Sequence, residues 1–380
     1  MIPGFLKNLY NFWDRTIHVK PEGKLTAGVS NKFKLDAKNI AKGIQRMYNY
    51  LSIDSSSLRA DTKIGCDLYL LTQTGADSRY ILYCRGDVVF ENKKKEILLE
   101  RNISRLFIKK DDQQKYYEYL ENNFQTIVSD TRLSTNEKTK IVHNAATNLV
   151  KDLFNDPRSG SIERIKKFAF NMVDYVLKDS EAAHSLLKIA VHEYYTYTHS
   201  VNVAAVGTLF AKNIGLGDDN LRKLCSGILL HDVGKTKIST DILNKKGKLT
   251  KEEFDIVKKH PEYGVEVLDE RGTEFKEERI VTLQHHENDD GSGYPYGLKK
   301  DEIQPCGKIS RIIDVYDALT TKRSYADAMR PFAALVEMKE NMSHCFDKEL
   351  LIEFIRFLGP YDPRSKPRQS DIVFLAENMT

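Results

Sequence analysis

The chain of 380 residues is poor in several features that would settle its class at once. Its five cysteines, Cys66, Cys84, Cys225, Cys306 and Cys345, are odd in number and widely scattered, with no CxxC pair. That usage excludes a small disulfide-stapled scaffold and fits reduced thiols in a cytosol. Proline is sparse, at 10 residues, and no low-complexity tract or internal repeat is visible, so neither a disordered array nor a solenoid is in play. No stretch reaches 18 uncharged apolar residues, which leaves no candidate spanning helix. The opening MIPGFLKNLYNFWDRTIHVK is interrupted by Lys7, Asp14 and Arg15 and lacks the apolar core of a signal peptide.

A strong charge of one sign is missing too. The 58 Lys+Arg against 54 Asp+Glu give a net charge of +4, and residues 1–130 hold 21 against 16, leaving 37 against 38 elsewhere. So dilute an excess, with no stripe of Lys/Arg interleaved with aromatics, argues against a nucleic-acid polymer as partner. What is present, 41% apolar and 29% charged residues, describes a soluble globular protein. At roughly 150 residues per domain the length suggests two or three domains.

The chain changes character along its length. CDLYLLT, SRYILYCRGDVVF and SRLFIKK, between about 61 and 110, are short β-branched or aromatic runs parted by turn signals, and predict a small sheet. From DDQQKYYEYLENNFQTIV onward the apolar spacing is helical, and Ser134 with Glu137 has capping-box spacing ahead of IVHNAATNLVKDLF. Asp156 to Ser161 breaks two helical runs. The expected fold is mainly α: an α+β domain over 1–125, a helical connector over 126–185 and a helical domain over 186–375. The apolar spacing of the connector suggests that it pairs with its own copy, which makes a homodimer the expected assembly.

Five of the ten histidines fall between positions 199 and 286. His199 lies in a run whose Val201, Ala204, Ala205, Thr208 and Leu209 predict a buried helix; alone, such a histidine is more often a hydrogen-bonded core residue than a ligand. His231 and Asp232 follow the apolar run GILL, and burying that pair is costly unless both are paired or bind a cation. His260 ends the predicted helix TKEEFDIVKKH, stopped by Pro261, and a histidine near a helix C-terminus is commonly a dipole contact. His285 and His286 follow ERIVTLQ and lead into the glycine-dense ENDDGSGYPYGL, by default a surface loop. Asp314 sits among Ile309, Ile312, Ile313 and Val315 on another buried helix, with Asp317 at the edge of any site there.

Taken jointly, five imidazoles and two carboxylates are more than one ion can use. Two first-row ions, spaced on the order of 3.5 to 4 Å as in two-metal hydrolases, would use them, with Asp232 as the natural bridge. Imidazole-rich sites suit iron, manganese, zinc or cobalt more than magnesium or calcium, and the absence of cysteine from the set disfavours structural zinc. Iron or manganese is the first expectation. A hydroxide held between two such cations would attack a phosphoester whose oxygens they also bind. Lys235 and Arg323 are the candidate phosphate contacts, against the plainer readings of a solvated lysine and a helix-end arginine.

These residues carry a resemblance. His199, the string H-D-V-G-K from His231 to Lys235, and Asp314 resemble the HD superfamily of metal-dependent phosphohydrolases. His260-Pro261, HHENDDGSGYP from 285 to 295 and ISRIIDVYDALTTKRSY are similar to its HD-GYP branch, over roughly residues 190 to 360. The resemblance implies an all-helical HD-type domain that hydrolyses the bacterial second messenger cyclic di-GMP to pGpG or GMP at iron or manganese. It places metal ligands on His199, His231, Asp232, His260, His285, His286 and Asp314, substrate contacts on Lys235 and Arg323, and the signature loop on Gly293, Tyr294 and Pro295. It also implies docking of GGDEF-domain proteins on that loop.

Some members carry a glutamate four residues before the first histidine, supporting a third metal. Here that position is Tyr195, so two metals are expected rather than three; Glu193 lies obliquely to His199 at 100° per residue. Lys246 and Ser324 replace usual prolines and concern loop stiffness alone. Two other readings stand beside cyclic di-GMP hydrolysis: turnover of another cyclic dinucleotide, such as a mixed GMP-AMP ring, and a sensing or docking module without turnover. The module reading is weakened by the retention of all seven ligand positions.

Overall fold

The protein is described from a computed structural model, over residues 49–359 apart from 75–76, 158–159, 191–195, 246, 271–275 and 322–327. Glu193, Tyr195, Lys246, Arg323 and Ser324 therefore lie outside the described residues, and so does any N-terminal structure before residue 49.

The β-branched runs form a four-stranded antiparallel sheet in the order β1-β6-β3-β4, from β1 (Tyr50–Asp54), β3 (Leu68–Thr74), β4 (Asp77–Cys84) and β6 (Arg105–Lys109). A two-stranded ladder pairs β2 (Thr62–Lys63) with β5 (Val89–Phe90), and α1 (Asn92–Glu100) precedes β6. β1 pairs along its length with β6 and is not evident in the sequence, because YLSID offers no clear alternation of its own. All five cysteines are free and buried.

Helices follow: α2 (Gln113–Asn122), α3 (Phe124–Val128), α4 (Thr135–Asn155), α5 (Ser161–Lys178), α6 (Ser180–Ala190), α7 (Thr196–Asn213) and α8 (Asp218–Leu230). Ser134 and Glu137 form the capping box that opens α4. Ile141, Val142, Ala145, Leu149 and Leu153 of α4, with Ile162, Ile165, Phe168 and Met172 of α5, are buried in a core continuous with that of the later helices. The apolar stripe on which the dimer expectation rests is thus covered within the chain.

The remaining helices are α9 (Thr240–Leu243), α10 (Lys251–Val257), α11 (His260–Asp269), α12 (Lys276–Gln284), α13 (Pro305–Thr320), α14 (Pro331–Glu340) and α15 (Lys348–Leu358). The single helix predicted to end at His260 is two: Pro261 opens α11 instead of closing α10. Proline fits the first turn of a helix, where its missing N–H would lack a partner anyway. Phe354 of α15, fully buried, packs edge-on against Phe210 of α7 (5.2 Å) and Tyr316 of α13 (5.3 Å), locking together the helices that carry His199 and Asp314.

Where the sheet meets the helices, buried Arg59 pairs with Asp130, which also pairs with Arg132 at 2.9 Å, while buried Lys95 donates to the Leu58 carbonyl at 3.0 Å. Burial, with the Arg59 and Arg132 guanidinium groups close by, pushes the Lys95 ammonium down to about 8. Above that pH the unfolded chain holds the proton more tightly than the fold does, so this group makes stability rise with pH until the unfolded lysine also titrates. Urea unfolding near pH 7.5 and near pH 9.5 should show the parent gaining stability relative to Lys95→Met; parallel behaviour of the two proteins would refute the assignment.

Candidate metal centre

The seven predicted ligand residues come from five places in the chain and meet in one buried cluster. His199 is on α7, His231 caps α8, Asp232 opens the 3-10 turn Val233–Lys237, His260 begins α11, His285 and His286 follow α12, and Asp314 is on α13. Direct backbone contact closes the assembly. A Cβ on Gly234 would lie 1.9 Å from the His260 carbonyl oxygen and 2.3 Å from the Gly264 nitrogen. Only glycine lets the turn after Asp232 settle onto α11 and bring His260 to that carboxylate.

The histidines are oriented by their own helices. The Nδ1 of His231 donates to the Ile228 carbonyl (2.6 Å), that of His260 to Val257 (2.8 Å), and that of His285 to Thr282 (2.9 Å). A carbonyl only accepts, so each Nδ1 carries the proton and each Nε2 turns a lone pair inward. The Nε2 atoms of His260 and His285 lie 3.1 Å apart, two lone pairs face to face. The His231 Nε2 and the Asp232 Oδ1 are buried with no hydrogen-bond partner.

Asp232 lies at the middle. Its Oδ1 is 3.3 Å from His260 Nε2 and 3.9 Å from His285 Nε2; its Oδ2 is 2.6 Å from Lys235 Nζ, 3.4 Å from His231 Nε2 and 4.0 Å from His199 Nε2. Asp314 faces His199 Nε2 at 3.2 Å with Oδ1 and His286 Nδ1 at 3.6 Å with Oδ2. Two groups of three donors share no residue: His260, His285 and His286, and His199, His231 and Asp314. Within each, the donor atoms lie inside 4.8 Å of one another. His231, Asp232 and His285 link the two at the same spacing.

Burial opposes charge on both carboxylates, yet the Lys235 ammonium beside Asp232, and His199 beside Asp314, hold them well below the usual carboxylate range. Burial pushes His260 down to about 4, and holds His285 and His286 well below the usual imidazole value. Burial works the same way on His199, but Asp317 and Asp314 outweigh it and push it up to about 10. Buried anions beside inward-facing imidazole lone pairs are the donor set of a first-row cation site. The residues therefore fit the group that the resemblance implies.

The glycine-dense loop lies against this cluster. A Cβ on Gly293 would come within 2.3 Å of the Asn288 nitrogen and 2.6 Å of the His286 carbonyl oxygen, so the loop folds directly over the histidine pair. Tyr294 donates its N–H to that carbonyl (3.2 Å) and stacks its ring on His286, with centroids 4.6 Å apart; its bond to Pro295 is cis. Two roles are not apparent from the sequence. Asp317 does more than line the edge of the site: it accepts from His199 Nδ1 at 2.6 Å and orients that ring. Glu287, buried, accepts from the N–H groups of Tyr296 (2.8 Å) and Leu298 (2.9 Å) and buckles the loop. An acid directly after the histidine pair is the available signal for the second.

If this cluster is where ions bind, Mn(II) should raise the melting temperature of the parent with the logarithm of its excess, and chelator should reverse the rise. His285→Ala should lose that metal-dependent rise. A variant that keeps it would place the ions elsewhere.

The part of the chain that carries this cluster is similar to known proteins. Residues 184–350 match the HD domain family. A cyclic di-GMP phosphodiesterase of Pseudomonas aeruginosa is 35% identical over 216 residues, 56% of this chain and 52% of that protein. The cyclic di-GMP phosphodiesterase response regulator RpfG of Xanthomonas campestris is 36% identical over 152 residues, 40% of each chain. The 3'3'-cGAMP-specific phosphodiesterase 3 of Vibrio cholerae is 35% identical over 179 residues, 47% of this chain and 39% of that one. The chain thus spans about half or less of the length of these curated relatives. Among solved structures, Bd1817, an HDG"Y"P protein from Bdellovibrio bacteriovorus, superposes with a TM-score of 0.57 over 82% of this chain and 100% of its own, at 22% identity, and shares the fold. No helix among the described residues is long and apolar enough to cross a membrane. The HD match, these relatives and the signature residues gathered at one centre show that residues 184–350 are an HD domain of the HD-GYP kind.

Proposed function

We propose that the chain is a phosphodiesterase that hydrolyses cyclic di-GMP to linear pGpG or to GMP, and that His199, His231, Asp232, His260, His285, His286 and Asp314 would hold two metal ions, iron or manganese, with Asp232 common to both. One observation carries this reading: two non-overlapping groups of three donors flank a carboxylate that faces one group with each oxygen. Tyr195 in place of a glutamate supports two ions rather than three. Bound there, the ions would supply an acidified water as nucleophile and offset the charge that develops on the phosphate oxygens.

The chain's own residues then have distinct tasks. His231, His260 and His285 present fixed lone pairs, and Asp317 holds the Nδ1 proton of His199 so that Nε2 faces inward. Lys235 is bound to Asp232 Oδ2 and, at 26% side-chain exposure, is the most open of the groups touching that carboxylate. It would contact a non-bridging phosphate oxygen. Arg323, Tyr294, Gly293 and Pro295 would complete the substrate side. Water oxygen adds to phosphorus, the bond from phosphorus to the ribose 3' oxygen breaks, and that oxygen takes up the proton the water gives up. Residues 1–125 would regulate this centre and 126–185 relay the signal, in a cytosolic protein that meets GGDEF-domain proteins through the loop around Tyr294.

Anaerobically purified protein supplied with Fe(II) or Mn(II) should convert cyclic di-GMP to pGpG or GMP on chromatography. The variant His231→Ala/Asp232→Ala should lose turnover and metal together. Lys235→Ala should keep its metal and fall roughly a hundredfold in kcat, the usual loss for one transition-state donor. A parallel reaction with 3'3'-cGAMP, the substrate in the name of a Vibrio cholerae relative, decides between the two rings. A metal-loaded parent that binds the dinucleotide and leaves it intact would make this a sensing module instead.

A further inference from the structure

Next to the donor cluster the surface is aromatic, although holding a phosphate needs only charge. Phe254 of α10 is 46% exposed, and no residue of that helix is buried, so core packing does not account for a phenyl ring there. The ring stands 6.4 Å from Tyr294, edge to face at 80°, and Tyr294 in turn lies over His286. Tyr294 is also 6.4 Å from the ring of His260. The Lys258 ammonium sits 5.4 Å from the centre of the Phe254 ring and is itself tied to Asp255 at 2.7 Å. An exposed aromatic ring is therefore held in place by a tyrosine and a lysine, one ring beyond a proposed metal ligand.

The chemistry that uses such a ring is stacking. A phosphodiester held at Asp232 carries its sugar and base outward, and Phe254 stands beyond the cluster across Tyr294, in ring-centroid steps of 4.6 Å from His286 to Tyr294 and 6.4 Å from Tyr294 to Phe254. A base carries a flat π-face whatever its identity, and an aromatic side chain takes it up with little preference among bases. Resting on the reading of this centre as a cyclic dinucleotide phosphodiesterase, we propose that Phe254, braced by Tyr294, is the base-stacking wall of the substrate site. Phe254 then contributes affinity for the dinucleotide without choosing guanine over adenine. The choice between the two rings falls to other residues.

The test uses the full chain loaded with Mn(II), as parent, Phe254→Leu and Phe254→Trp, each checked for metal content and melting temperature. Equilibrium dialysis with the hydrolysis-resistant phosphorothioate analogue of cyclic di-GMP should show Phe254→Leu binding it on the order of tenfold more weakly, the usual loss of one stacked base, and binding the same analogue of 3'3'-cGAMP more weakly by the same factor. Phe254→Trp should restore the affinity, and in turnover the loss should fall on KM rather than kcat. Equal binding by parent and Phe254→Leu would overturn the inference, as would weakening shared by the tryptophan variant or accompanied by lost metal. Because binding is read separately from turnover, a parent that binds without hydrolysing refutes the enzymatic reading alone. A parent that hydrolyses while ignoring the leucine substitution refutes only the stacking wall.

Discussion

Seven donor side chains are packed so closely that their charges and lone pairs need a cation. Asp232 and Asp314 remain ionised while buried, and the Nε2 atoms of His260 and His285 stand 3.1 Å apart with their protons committed to helix carbonyls on the far side of each ring. Carboxylates and imidazoles without water around them cost several kcal/mol unless something positive lies between them. In the fold itself Lys235, and a proton on His199 held by Asp317 and Asp314, meet part of that demand. Metal ions would meet the rest, which couples the stability of this region to metal.

The scaffold is arranged around that constraint. Helix ends serve it well, because the last carbonyls of a helix lack partners and can accept the Nδ1 proton of a following histidine. His231 and His285 use that device at the ends of α8 and α12, and His260 uses the carbonyl of Val257 where α10 gives way to α11. Distance is then set by backbone contact at Gly234 and by the aromatic lock of Phe354 on Phe210 and Tyr316. Gly293 does the same for the loop, which has no room for a side chain where it crosses the backbone of His286 to Asn288.

Much of this is legible in residue types. An imidazole or carboxylate inside an apolar helix is expensive, so His231, Asp232 and Asp314 stand out in the sequence itself, and Ser134 with Glu137 announces α4 by the chemistry of its cap. Proline is ambiguous: Pro261 reads as a stop and is a start, since a residue without an N–H suits both sides of a helix boundary. β1 escapes a reading by pattern because its pairing with β6 is long-range and its own alternation is weak. Asp317, Glu287 and Phe254 act through partners on other segments or across a loop, His199, Tyr296 and Tyr294, and spacing along one helix does not show such partnerships.

The claim that two ions share Asp232 can be read directly by electron paramagnetic resonance of the Mn(II)-loaded protein. Two ions bridged by one carboxylate should give a spin-coupled multiline spectrum at two manganese per chain, and Asp232→Asn should abolish the coupling. A plain six-line spectrum from one ion per chain in the parent would contradict the account.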